Sequence, residues 1–238
     1  MAGPIVLHDE MISFFQDTSA KKVNIENLDR GIMMFVLGLF KKVLIADVFG
    51  EMVTWGFGHI DIATSMDLIL VMLAYTFQIY FDFSGYSDMA SGIALMFNFR
   101  LPINFNSPYK AYSIADFWKR WHMTLTRFLH TYIYFPLGGN RKRKIRAYIN
   151  TLIVFGVSSI WHGANYTFIL WGFFHGIAQC MNRFFKRQYD AWNPVIQCGI
   201  TFIFLNFTWL LFRADSVHQW KGLCKKLFLF QICKLIRN

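Results

Sequence analysis

The chain has 238 residues, of which 55% are hydrophobic and only 16% charged. A soluble domain carries roughly 25% charged residues, so the balance points to an integral membrane protein. The net charge of +10 would suit nucleic acid, but the cations sit at the ends of apolar segments. That placement argues against a nucleic-acid partner and for a bilayer with cytoplasmic basic loops.

Residues 1–30 are polar and mixed in charge, with Asp9, Glu10, Asp17, Lys21, Lys22 and Arg30 among them. They read as a surface segment holding one or two short helices, with no cleavable signal peptide. Gly31 to Phe40 and Val43 to Phe49 are apolar around the pair Lys41-Lys42. A lysine pair at the bilayer centre is costly, so two shorter pieces or a helix whose lysines face protein are expected. Asp67 to Phe83 has near-membrane length and runs into Phe81-Asp82-Phe83-Ser84-Gly85-Tyr86-Ser87-Asp88. Gly85 amid Ser and Asp predicts a broken or kinked helix there. Asp82 and Asp88 fall on different helix faces, which makes them a poor acid/base pair and better capping groups.

Leu101 to Tyr112 contains Asn104, Asn106 and two prolines, and reads as a loop. Asp116 to Tyr134 is predicted as one amphipathic helix, with Trp118, His122, Leu125 and Leu129 on one face and Arg120 and Arg127 opposite. Such a helix suits the membrane interface. Pro136-Leu137-Gly138-Gly139-Asn140 is a turn, and the basic run at Arg141–Lys144 is expected in the cytoplasm. Ala147 to Trp161 is apolar. At about 1.5 Å per residue His162 lies roughly 22 Å along that helix, still inside a hydrocarbon core of about 30 Å. Asn165 to Asn182 carries Gly172 and Gly176, a spacing that permits close helix approach, and a polar stripe of His175, Gln179 and Asn182. Val195 to Phe212 is a further span. The sum is an all-α integral membrane protein, with about five membrane-embedded helices plus interfacial amphipathic helices. It is organised as one region: a polar surface segment over 1–30, a helical membrane core over 31–212, and a basic interfacial tail over 213–238.

The chemistry is narrow. The sequence holds no phosphate-binding loop, no G-x-S-x-G elbow and no zinc spacing, and no metal site is expected. The cysteines Cys180, Cys198, Cys224 and Cys233 read as packing residues. What remains is histidine in apolar surroundings. His162 can act as a general base for a hydroxyl, or be a core histidine bonded to a carbonyl. His122 can orient or polarise a substrate group, or simply sit at the interface. His175 reads as a helix–helix hydrogen-bonding residue.

Four segments in order carry a resemblance: Phe81-Asp82-Phe83-Ser84-Gly85-Tyr86-Ser87-Asp88-Met89-Ala90, Phe117-Trp118-Lys119-Arg120-Trp121-His122, Pro136-Leu137-Gly138-Gly139-Asn140-Arg141 and Trp161-His162-Gly163-Ala164. Together they resemble the membrane-bound O-acyltransferase family, in its bacterial branch of alginate O-acetylation and teichoic acid D-alanyl transfer proteins. The similarity runs from Ala2 to Ala214. It implies acyl transfer in a membrane tunnel, with His162 matching the family's catalytic histidine and His122 its second site residue. It implies no tightly bound cofactor. The donor would be an acyl thioester such as acetyl-CoA or an acyl carrier. The acceptor would be a hydroxyl of an envelope polysaccharide such as alginate, reached with an extracytoplasmic transfer partner protein. A multi-pass position in the bacterial inner membrane follows. Family members usually carry further membrane helices before Ala2 and after Arg213, so the chain reads as a partial member. Where the bacterial branch commonly has Arg-Asp, this sequence has His130-Thr131. Two rival readings are a non-catalytic fragment or half of a split acyltransferase acting as a scaffold, and a transporter.

Overall fold

The computed structural model describes residues 3–16, 21–141 and 143–235. Ala2, Asp17, Lys142 and Arg237, with the side chains of Cys233 and Lys234, lie outside the described residues. Among the described residues every element is helical. Helix α1 spans His8–Gln16 and α2 spans Ile25–Phe40, the latter N-capped by Asn24, whose side chain accepts the Asn27 N–H. The chain then passes through a π-helical stretch, Lys41–Ala46, directly into α3, Asp47–Gly58. Helix α4 runs over Ser65–Met96. Its start is fixed by a reciprocal capping box between Thr64 and Asp67.

The break expected at Gly85 is absent, because α4 is continuous through it. Gly85 serves close approach instead. A Cβ at Gly38 would lie 2.5 Å from the Gly85 carbonyl oxygen, and one at Gly92 would lie 2.6 Å from that of Gly31. The paired glycines recur one heptad apart on each helix, in antiparallel order, so α2 and α4 touch backbone to backbone along two turns. That contact answers the lysine question as well. Lys41 pairs with Asp88 at 2.5 Å, and Lys42 with Asp82 at 2.5 Å and Asp47 at 3.0 Å. The lysines face protein, and Asp82 and Asp88 are their counter-ions rather than capping groups. Partnered charge is the form in which such residues are tolerated in apolar surroundings.

The single helix expected over Asp116 to Tyr134 is not formed. It resolves into a short α5, Ile114–Phe117, a turn, α6, Met123–Leu129, and a π-helical stretch, His130–Tyr134. Non-local backbone bonds replace the helical ones: Asn106 N–H donates to Arg120 O at 2.9 Å, and Met123 N–H to Asn104 O at 3.0 Å. His122 between them is left-handed, at φ 43°.

Helices α7, Lys144–His162, and α8, Tyr166–Phe184, form an antiparallel pair. Gly172 lets α8 lie on Phe155 and Ser159 of α7; a Cβ there would overlap the Ser159 hydroxyl. A short α9, Lys186–Asp190, leads to α10, Pro194–Arg213, and α11, Val217–Leu235. Trp220 and Leu223 of α11 are buried in the main core, so the segment read as a basic tail also contributes packing. Lys226 of α11 donates to the carbonyls of Ile60 and Asp61, which tie it to the α3–α4 connection. Aromatic rings fill the core: Phe117, Trp121, Trp171 and Trp209 are all at least 96% buried, and Trp121 and Trp209 have ring centroids 5.0 Å apart. Cys180, Cys198 and Cys224 are free thiols packed against their neighbours. Helices α4 and α10 are long and apolar enough to cross a membrane.

Replacing Gly38 with Val should force α2 from α4 and lower stability by about 1–3 kcal/mol. The control is Gly199→Val on α10, where a Cβ meets nothing within 4 Å and the effect should be much smaller. Thermal unfolding in detergent micelles reads the difference.

Candidate active site

The turn and left-handed residue that interrupt α5 and α6 aim His122 away from a helix stripe and into a cavity of about 480 Å³. His162, the last residue of α7, lines the same cavity, as do Trp118, Trp121 and Trp161. The structure therefore brings together the two histidines singled out in the sequence, although forty residues separate them. Lys42 and Asp82 line it too, so the α2–α4 ion pairs supply a charged part of an otherwise aromatic wall.

His162 is half-buried and makes no hydrogen bond among the described residues. Its ring is held by edge-on aromatic contacts with Phe212 at 5.2 Å and Trp171 at 5.3 Å between centroids. Gly163, at φ 153°, follows at once and turns the chain out of α7. A ring oriented by apolar edges with its nitrogens unspent is suited to take up a proton from a bound group. His122 is 4% exposed and packs edge-on against Phe83, at 4.7 Å between centroids. Its Nδ1 lies 3.0 Å from Oδ1 of Asn104. Asn104 was hidden in what the sequence shows as a loop between prolines; no local pattern distinguishes it there.

His175 is fully buried and both its nitrogens are spent. Trp118 Nε1–H donates to its Nδ1 at 3.3 Å, so Nε2 carries the proton and donates to Thr208 Oγ1 at 3.1 Å. Thr208 in turn shares its hydrogen between the carbonyls of Phe204 and Leu205. This agrees with the helix–helix role read from its stripe. Through that bond His175 steadies Trp118, which lines both the histidine cavity and a second one of about 300 Å³. The second cavity has an apolar lining of Leu125, Leu129 and Val154, with Arg183 and Lys186 also on its wall. Gln179 and Asn182, the stripe mates of His175, line this second cavity. Among the described residues no cluster of three or more His, Cys, Asp or Glu is placed to hold a metal ion.

The amino-terminal segment is tied to the site. Ile5 N–H donates to Thr124 Oγ1 at 2.9 Å, and Arg127 grips Glu10 through two hydrogen bonds of 2.6 and 2.9 Å. The Arg127 bonds, joined by the Leu7 N–H, hold the Glu10 carboxyl below its ordinary value of 4.5.

Similarity to known proteins can be set beside this geometry. The model of the membrane-bound O-acyltransferase family matches residues 1–215. Peptidoglycan O-acetyltransferase of Helicobacter pylori is 49% identical over 92% of this chain and 42% of its own length. The "probable alginate O-acetylase AlgI" of Pseudomonas putida is 37% identical over 97% of this chain and 47% of its own length. Teichoic acid D-alanyltransferase of Bacillus subtilis is 25% identical over 92% of this chain and 59% of its own length. The chain thus spans about half the length of the curated relatives it matches.

Two outcomes follow from the contacts around the site. Replacing His175 with Phe leaves the buried Trp118 N–H without its acceptor, while Thr208 keeps its backbone carbonyls, and should cost about 1–3 kcal/mol, seen as a lower unfolding temperature. The Glu10 tether has a definite sign with pH. A depressed folded value means its contribution is complete above the ordinary carboxylate value and is lost as pH falls through the depressed one. Protection of residues 3–16 from limited proteolysis should exceed that of Glu10→Gln at pH 7, and the two should converge in acid.

Proposed function

The chain belongs to the membrane-bound O-acyltransferase family, and on that premise we propose that it transfers an acetyl group to a hydroxyl of a cell-envelope polysaccharide. The observation that carries the reading is the shared cavity: His122 and His162 open onto one space walled by tryptophans. His162 is the general base. It takes the proton of the acceptor hydroxyl as that oxygen attacks the donor's thioester carbonyl, and returns the proton to the sulfur when the C–S bond breaks. His122 orients the substrate. The largely aromatic lining lowers the local dielectric, which strengthens each polar contact made inside.

The donor is an acyl thioester, acetyl-CoA or an acyl carrier, approaching from the cytoplasm. Arg183 and Lys186 on the second cavity suit the anionic part of such a donor. The acceptor is a glycan. Identity of 49% to a peptidoglycan O-acetyltransferase, against 37% to an alginate O-acetylase, favours peptidoglycan over alginate. An extracytoplasmic partner completes transfer. We place the protein in the bacterial inner membrane as a multi-pass protein with about five embedded helices. Support comes from α7 and α8, which turn Ile149, Leu152, Ile160, Phe173 and Ile177 outward, as lipid-facing helices do. A scaffold without activity is the weaker reading, because it leaves the two cavity-lining histidines without a task.

Membranes carrying this chain, alone and with the products of neighbouring genes, should incorporate labelled acetyl groups into envelope glycan. His162→Ala should reduce incorporation by roughly 10²–10⁴-fold, the usual worth of a general base, with protein level unchanged. Retained incorporation would overturn the assignment.

A further inference from the structure

Asn104 lies in none of the four segments that carry the family resemblance, yet its side chain is the most heavily engaged polar group beside the cavity. It is 4% exposed. Its Oδ1 faces three donors or potential donors. The Thr124 backbone N–H, 3.3 Å away, can only donate. The Thr124 hydroxyl, 2.9 Å away, accepts from Ile5 N–H and so directs its own hydrogen at the same oxygen. These two groups settle which end of the amide faces His122: it is the carbonyl oxygen. The NH2 end is turned to Ser87 Oγ on α4, at 3.2 Å. A carbonyl oxygen cannot donate, so His122 Nδ1, 3.0 Å from it, must carry the proton.

We infer that Asn104 is a positioning residue that locks His122 as the Nδ1–H tautomer and leaves the Nε2 lone pair to face the cavity. The lock is short and stiff. The Asn104 backbone carbonyl accepts Met123 N–H at 3.0 Å, so one residue holds both the imidazole and its chain neighbour. The left-handed backbone at His122 is the conformation that lets both bonds form at once. The chemical consequence is specific. With Nε2 unprotonated, neutral His122 accepts a hydrogen bond from an O–H or N–H of the substrate and cannot donate one to a developing oxyanion. Its task is to hold a hydrogen-bearing group. That this matters for turnover rests on the acyl-transfer reading above.

The test begins with the unaltered chain in lipid nanodiscs, selectively 15N-labelled at histidine, with His122→Gln used to assign the ring. The His122 nitrogens should report a protonated Nδ1 and an unprotonated Nε2 at neutral pH. Asn104→Asp, which keeps an oxygen acceptor, should preserve that tautomer. Asn104→Leu should release it to a mixture, while the helical circular dichroism stays unchanged. Acetyl incorporation should follow the same order, with Asn104→Leu reduced at least tenfold and Asn104→Asp reduced less. Roughly 10⁴ is the loss recorded where a catalytic histidine is left in the wrong tautomer. An Nε2–H tautomer in the unaltered chain, or an unchanged tautomer in Asn104→Leu, would overturn the inference. A tautomer that shifts as expected, in a chain that transfers no acetyl group in any form, would sink the acyl-transfer reading and leave the positioning of His122 supported.

Discussion

The reversal of the backbone at His122 is the constraint on which the site depends. A sequence with apolar residues at helical spacing is diverted into a turn because two backbone hydrogen bonds reach across to residues 104 and 106. A left-handed conformation in a residue with a Cβ costs of order 1–3 kcal/mol. The surrounding bonds offset that cost: the ring to Asn104, the Met123 amide to the same residue, and Phe83 edge-on to the imidazole. Had the helix continued, His122 would have been one more member of a stripe packed on the core. Broken as it is, the segment places the ring in a cavity that His162 also lines from the end of a different helix.

Around this centre the protein handles polarity in two ways. Charges are paired: the lysines of the π-helical stretch find carboxylates on α4 and α3, so cationic groups in an apolar helix bring no unpartnered charge with them. One set of neutral polar groups is chained: Trp118 donates to His175, His175 to Thr208, and the Thr208 hydroxyl shares its hydrogen between the carbonyls of Phe204 and Leu205. The backbone contact of α2 with α4 brings the first arrangement together, since only glycines at Gly38 and Gly85 allow the helices near enough for short ion pairs. His162 stands apart from both patterns. Its ring is placed by aromatic edges and its nitrogens meet no hydrogen-bond partner among the described residues.

Much of the helical frame was legible in the residues. The apolar runs of α7, α8 and α10 announce themselves by length, and the G-x-x-x-G spacing on α8 marks the close approach that Gly172 makes to α7. The two histidines could be singled out because an imidazole after a tryptophan in an apolar segment is costly without a purpose. What could not be read was non-local. Asp82 and Asp88 have partners some forty residues away, so their pairing leaves no trace in local spacing, and a glycine between them looks like a break rather than a docking point. The interruption before α6 is invisible for the same reason: its causes lie in a loop whose prolines and asparagines suggest only irregularity. Asn104 carries no signal at all until its oxygen is seen collecting donors.

The bond from Ile5 to Thr124 has a practical side. Three hydrogen bonds in sequence, Ile5 to Thr124, Thr124 to Asn104 and Asn104 to His122, join the amino-terminal residues to the imidazole. A change at Pro4 or Ile5 would therefore be mechanically adjacent to the His122 ring, however remote it looks on a linear map. Handles for purification belong in the loop between α9 and α10, where Trp192 and its neighbours are exposed and, among the described residues, no hydrogen bond joins them to the His122 ring.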